Sequence, residues 1–237
     1  MTAPNDRAAN AATAPAAWER YGWAAGIVYV AALLAEAIVS VGIPLNQDDS
    51  AGTMARELHA HRGALVAVAC LSMVYAVAFL VYLWRLHELF RRFDLAPARR
   101  LSTLVLIGGV LFLTLHAVSD IGITGMLGGK LATYSAQHDE GVAYVLYLTT
   151  YALDSVGDVL GSLFAVASGL LVLRTAALPR WLGWVAILAG ALFFLQGFGL
   201  GGVIAVFGLI LDLIAFVLLL TFVAASSVIL LRRRGMS

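Results

Sequence analysis

Six ionisable side chains lie inside long apolar stretches of this 237-residue sequence. They are one histidine and five carboxylic acids: Glu36, His116, Asp120, Asp154, Asp158 and Asp212. Placing such a group at the centre of a membrane helix costs about 2.5–3.5 kcal/mol, so these groups usually face other helices or a cavity. No arginine or lysine lies in the interior of the same stretches to balance them. Buried acid without a fixed counter-ion predicts a functional site.

The spacing of these residues predicts that several share a helix face, because residues three or four apart are neighbours on a helix surface. His116 and Asp120 are four apart in the third apolar stretch. Tyr151, Asp154 and Asp158 have helical spacing in the fourth. Each group therefore lies on a face that can point towards other helices.

The predicted depths of these six residues in the membrane indicate a common layer. Each depth is counted from the outer end of its apolar stretch. At a rise of about 1.5 Å per residue, the depths are roughly 12–17 Å for Glu36, His116, Asp154 and Asp212, roughly 9 Å for Asp120 and roughly 22 Å for Asp158. We therefore predict one outward-facing acidic pocket, and its predicted members are Glu36, His116, Asp120, Tyr151, Asp154, Asp158 and Asp212.

Metal chemistry is one hypothesis for this pocket. An imidazole with several carboxylates is a hard or borderline ligand set, suited to a divalent metal such as Mg, Ca, Mn or Zn. The predicted ligands are His116, Asp120, Asp154 and Asp158. A metal held there would activate water, as a membrane hydrolase requires. A serine triad is disfavoured, because Ser119 shares its helix with His116 and Asp120, and the bonded N–H groups of a helix cannot form an oxyanion hole.

Three other hypotheses use the same residues. In the first, they bind a cation or small molecule, or relay protons, in transport. Against it, no proline interrupts the predicted spans and no inverted repeat is visible. In the second, the pocket receives a lipid headgroup. In the third, the carboxylic acids only join helices in a structural or interaction protein. We favour cation or small-molecule binding linked to transport, with metal-dependent hydrolysis and packing alone as alternatives; enzymatic activity stays open.

The elements that position these residues are predicted to be six transmembrane helices, which makes the fold an all-α membrane bundle. The chain is 62% hydrophobic and 12% charged, whereas soluble domains carry about 25% charged residues. Six stretches approach or exceed the roughly 20 residues that cross a bilayer: 22–44, 63–85, 101–126, 143–173, 181–200 and 203–231. They form a predicted domain over 21–232. The net charge is +1, so the chain lacks the strongly basic surface of a nucleic-acid-binding protein.

The two ends of the chain are predicted to be cytoplasmic tails, 1–20 and 233–237. The first is polar and alanine-rich, which is typical of disorder. A cleaved signal peptide is the competing interpretation, because Ala35, Glu36 and Ala37 form an A-x-A pattern. The apolar stretch continues beyond that point to Pro44, which favours an uncleaved span.

Positive charge predicts the orientation, because arginine and lysine resist translocation. Alternating sides along six spans places twelve arginines together: Arg7, Arg20, Arg85, Arg91, Arg92, Arg99, Arg100, Arg174, Arg180, Arg232, Arg233 and Arg234. Only Arg56, Arg62 and Lys130 fall opposite. All five tryptophans mark the arginine-rich boundary, as interfacial residues do: Trp18, Trp23, Trp84, Trp181 and Trp184. We predict a bacterial inner-membrane protein, in contact with the bilayer, with both termini inside.

Three further patterns predict local structure. Small residues recur every four positions at Gly157, Gly161, Ala165 and Gly169, which lets neighbouring helices approach and places the fourth helix at the bundle centre. Cap-type residues ending at Ser50 predict a short surface helix over 51–58. Gln196 in the fifth stretch either reaches the pocket or bonds as a packing amide.

Two segments resemble a known family. They are Leu178-Pro179-Arg180-Trp181-Leu182-Gly183-Trp184, following Leu173-Arg174, and Arg62-Gly63-Ala64-Leu65 at the start of the second span. With the six-span length, they resemble a six-transmembrane family of unknown function common in actinobacteria. The resemblance covers most of the chain and implies a membrane architecture, without an activity.

Overall fold

Helices make up all the regular structure in the described part of the chain. The computed structural model describes residues 18–44, 49–94, 100–129, 131, 133–134, 140–197 and 205–234. The helices are α1 (Trp18–Val41), α2 (Ala51–Ala60), α3 (Arg62–Phe93), α4 (Arg100–His116), α5 (Gly125–Gly128), α6 (Glu140–Thr175), α7 (Arg180–Gly197) and α8 (Ala205–Arg234). The predicted all-α class is therefore confirmed. Most of the predicted N-terminal tail and the end of the C-terminal tail lie outside the described residues.

Five helical stretches are long and apolar enough to cross a membrane, and they fall in α1, α3, α4 to α5, α6 and α8. These stretches support the prediction of a multi-pass membrane protein. The predicted fifth span corresponds to α7, an apolar helix of 18 residues. At 1.5 Å per residue it extends about 27 Å, slightly less than a hydrocarbon layer of about 30 Å. A count of six spans therefore depends on α7.

Helix α6 lies at the centre of the bundle. In its most apolar window 61% of the residues are buried, against 17% in α1. Its glycines allow close approach on two sides: a Cβ at Gly161 would lie 2.5 Å from the Phe112 ring of α4, and one at Gly169 would lie 2.5 Å from the Gly183 carbonyl oxygen of α7. The spacing of small residues predicts this packing.

Helix α2 closes one end of the bundle, which we call the α2 end. Ser50 caps this helix by accepting a hydrogen bond from the Thr53 N–H at 3.2 Å. The helix exists as predicted, but it does not simply rest on the surface. Met54 and Leu58 are fully buried in a small apolar cluster with Leu65 of α3. The opposite end, where α3, α6 and α8 finish, is called the arginine end.

One feature of the third span differs from the sequence prediction. A π-helical segment, Ala117–Thr124, separates α4 from α5, where the sequence predicts one regular helix. The segment contains two isoleucines, a valine, a threonine and a glycine, and these residue types have lower helix propensity than leucine or alanine. π-Helical turns are rare and often mark functional sites. His116 directly precedes this segment and Asp120 lies inside it.

Candidate functional site

His116, at the end of α4, is held in one orientation. Its Nδ1 lies 2.9 Å from the carbonyl oxygen of Phe112. A carbonyl only accepts hydrogen bonds, so Nδ1 carries a proton and donates it. The imidazole packs against the Phe112 ring, with centroids 4.3 Å apart, and a Cβ at Gly157 would lie 2.7 Å from its Cε1. Nε2 is therefore the ring nitrogen that contacts α6.

Asp158 of α6 receives contacts from two other helices. Its Oδ1 lies 3.4 Å from His116 Nε2, and its Oδ2 accepts a hydrogen bond from Gln196 Nε2 of α7 at 3.2 Å. Asp158 is 2% exposed. With no proton between Nε2 and Oδ1, two lone pairs would face each other, so the contact is attractive only when these atoms hold a proton. Gln196 thus reaches the predicted site.

Asp120 and Glu36 extend the site towards α3 and α1. The hydroxyl of Tyr75 on α3 donates a hydrogen bond to Asp120 Oδ2. Glu36 Oε1 accepts a hydrogen bond from Ser40 at 2.9 Å on its own helix. Glu36 is also close enough to Asp120 and His116 to interact with them electrostatically. Sequence reasoning missed Tyr75, because a tyrosine in an apolar helix carries no signal for a particular partner.

Asp154 and Asp212 complete the group. Asp154 interacts electrostatically with His116 and Asp158, and Asp212 of α8 interacts with the same two residues and with Gln196. Each has a buried Oδ1 for which the described residues supply no hydrogen-bond donor. The six predicted ionisable groups are therefore electrostatically connected. We call them the acidic cluster, defined as Glu36, His116, Asp120, Asp154, Asp158 and Asp212.

Tyr151, the seventh predicted member, occupies a different position. Its hydroxyl is 2.9 Å from that of Tyr147, and the side chain is 38% exposed. It shares a face of α6 with Asp158, but seven residues correspond to about 10 Å along the helix. Tyr151 therefore lies nearer the α2 end than the centre of the cluster.

The predicted metal centre receives no support from the arrangement of its ligands. Among the described residues, no group of three or more His, Cys, Asp and Glu side chains is placed to hold a metal ion. The predicted ligands instead have protein partners: Asp120 accepts from Tyr75, and Asp158 meets Gln196 and His116. Helical spacing predicts a shared face, but it does not predict which neighbouring helix each carboxylate meets.

Apolar side chains lie on both sides of the acidic cluster along the bundle. Towards the α2 end, Met54, Leu58 and Leu65 form part of the small apolar cluster. Towards the arginine end, a larger core contains Phe79 and Phe164. The described structure therefore places the acidic cluster between two apolar layers.

One comparison with known proteins gives a match. No curated protein and no solved structure matches this chain. A family model described as Domain of unknown function (DUF4386) matches residues 24–230, a range that contains the whole acidic cluster. This confirms the resemblance to an uncharacterised family, while the actinobacterial source stays a prediction. The chain belongs to the DUF4386 family.

Proposed function

We propose that this chain is a six-span protein of the bacterial inner membrane that binds a cation or a small molecule in its acidic cluster, as part of transport. One observation carries the proposal. Five carboxylic acids and one imidazole from four spans interact electrostatically inside an apolar bundle. Groups of this kind within membrane spans commonly mark pathways for ions, protons or substrates.

Charge balance favours a cationic ligand. Five carboxylates face at most one imidazolium, and like charges in a low-dielectric interior repel strongly. Arg85, a buried arginine of α3, is paired with Glu88 rather than with the cluster. Protons or a bound cation must therefore balance the charge, because an uncompensated buried charge is strongly destabilising. The buried oxygens of Asp154 and Asp212 that lack a donor offer positions for such a ligand.

In the proposed orientation, the α2 end of the bundle faces the outside of the cell. The sequence prediction groups twelve arginines on one side of six alternating spans and three basic residues on the other. The positive-inside tendency then places the arginine end and both termini in the cytoplasm. In this orientation the α2 end is external, and the small apolar cluster around Met54 and Leu58 separates the acidic cluster from the outer surface.

Ligand-dependent stability of the purified chain tests the binding proposal. Thermal unfolding in detergent is measured with Na⁺, K⁺, Mg²⁺, Ca²⁺ and a small organic amine. A ligand at 100 times its dissociation constant should stabilise the wild type by about 2.7 kcal/mol. Asp158→Asn should lose most of this gain, because Asp158 is the carboxylate that joins α4, α6 and α7.

Glu57→Gln is the matched control. It also replaces one carboxylate by an amide, but Glu57 lies on α2 and pairs with His61. Its cation response should equal that of the wild type. Uptake into vesicles containing the same proteins then separates transport from binding alone. If the wild type gains stability from none of the ligands and moves none of them, the cluster only packs helices.

A further inference from the structure

Three arginines surround the short turn that joins α6 to α7. Arg174 lies in the last turn of α6, and Arg180 begins α7. Arg233 of α8 reaches across and donates a hydrogen bond from Nη1 to the Ala177 carbonyl oxygen at 2.9 Å. All three side chains belong to exposed residues. Arginines of three helices therefore lie at or beside one turn.

These arginines have no carboxylate partner within the described ranges, where none of them forms an ion pair. The acids at the end of α3 and directly after it, on the same side of the bundle, have other partners. Glu88 pairs with Arg85, and Asp94 accepts a hydrogen bond from the Ser102 N–H at 3.1 Å. Positive charge around the turn therefore favours the binding of an anion.

Two tryptophans lie on α7 directly after this turn. Trp181 is 49% exposed and Trp184 is 64% exposed, and their spacing of three residues places them on one face. Exposed tryptophans with an apolar body and a polar N–H concentrate at the headgroup level of membranes. The anion that meets the arginines would therefore carry an apolar part beside these rings.

We infer that the turn defined by Arg174, Arg180 and Arg233 binds the headgroup phosphate of an anionic phospholipid. Guanidinium groups form paired, charge-assisted hydrogen bonds with phosphate oxygens. Arg174 and Arg180 contact the phosphate from either side of the turn, and Arg233 holds the turn in place. The acyl chains run along the exposed face of α7. This inference is independent of the acidic cluster and of its ligand.

Lipid binding to the purified full-length chain tests the inference, with native mass spectrometry as the readout. The probes are phosphatidylglycerol and phosphatidylcholine with identical acyl chains. The wild type should prefer phosphatidylglycerol by about 30-fold, because each of two surface arginines favours an anionic lipid by about fivefold. R174Q/R180Q should lose most of this preference, and R174K/R180K should keep part of it, because the charge remains without the planar fork.

R91Q/R92Q is the control, since it removes the same charge at the same end from two exposed arginines of α3. It should keep the preference. Equal loss in both double glutamine variants would mean a diffuse charge effect and would overturn the site, as would a wild type that does not prefer the anionic lipid. Displacement of the lipid by millimolar inorganic phosphate would reassign the turn to a soluble anion. Unchanged unfolding temperatures confirm that each variant is folded.

Discussion

Buried carboxylate oxygens have different hydrogen-bond partners in the acidic cluster and at the arginine end. At the arginine end, Asp94 is 7% exposed and accepts a hydrogen bond from the Ser102 N–H, while the Ser102 carbonyl oxygen lies 2.8 Å from His87 Nδ1. In the acidic cluster, Asp154 and Asp212 each keep a buried oxygen without a donor in the described structure.

The difference separates two uses of a polar side chain. A carboxylate that accepts a backbone hydrogen bond stabilises the connection between helices. Removing it leaves an N–H without an acceptor, which lowers stability. A carboxylate that keeps one buried oxygen without a donor costs stability, so it is maintained where function needs it. Removing a carboxylate should therefore destabilise the protein at Asp94, whereas removing one at Asp154 or Asp212 should keep or raise its stability.

The largest effect is expected for His116→Phe. Phenylalanine can pack against Phe112 and Gly157, but it leaves Asp158 Oδ1 without Nε2. Breaking a buried pair by removing one partner typically costs about 3–5 kcal/mol, and we expect a loss near 3 kcal/mol in the free energy of unfolding, measured by denaturant titration in detergent. Adding Asp158→Asn should recover part of that loss. If His116→Phe and the double variant are equally unstable, the two residues are not coupled.

An intermediate effect is expected for Asp94→Ala. The Ser102 N–H loses its acceptor, and an unsatisfied buried donor costs about 1–3 kcal/mol. The same unfolding measurement should show this loss, while the stabilisation by the cation found for the wild type stays unchanged. A reduced cation response in Asp94→Ala would remove the functional distinction between the two regions.

The smallest effect on stability, with the opposite sign, is expected for Asp212→Asn. The amide removes a buried carboxylate that lacks a donor at Oδ1, so unfolding without ligand should cost the same or up to about 1 kcal/mol more than in the wild type. The gain from the cation should fall at the same time. Tyr151→Phe is the comparison, because Tyr151 lies towards the α2 end, and both quantities should stay at wild-type values.

Much of the candidate site follows from the pattern of the chain. Ionisable residues in apolar stretches are costly, so the positions of Glu36, His116 and Asp212 alone predict that they face the protein interior. The glycine spacing of α6 predicts its central place, because small side chains permit close helix contact. Length and hydropathy likewise determine the helical class, since only helices and closed barrels satisfy their backbone groups in lipid.

Contacts between helices were decided only by the tertiary structure. Gln196 meets Asp158 and Tyr75 meets Asp120 across different helices, while Tyr151 pairs with Tyr147 instead. The π-helical segment beside His116 and the burial of α2 also escaped prediction. Helical periodicity specifies which residues share a face and how deep they lie. Which partner each side chain meets depends on the rotation and packing of neighbouring helices, and these are set by the whole bundle rather than by any one segment.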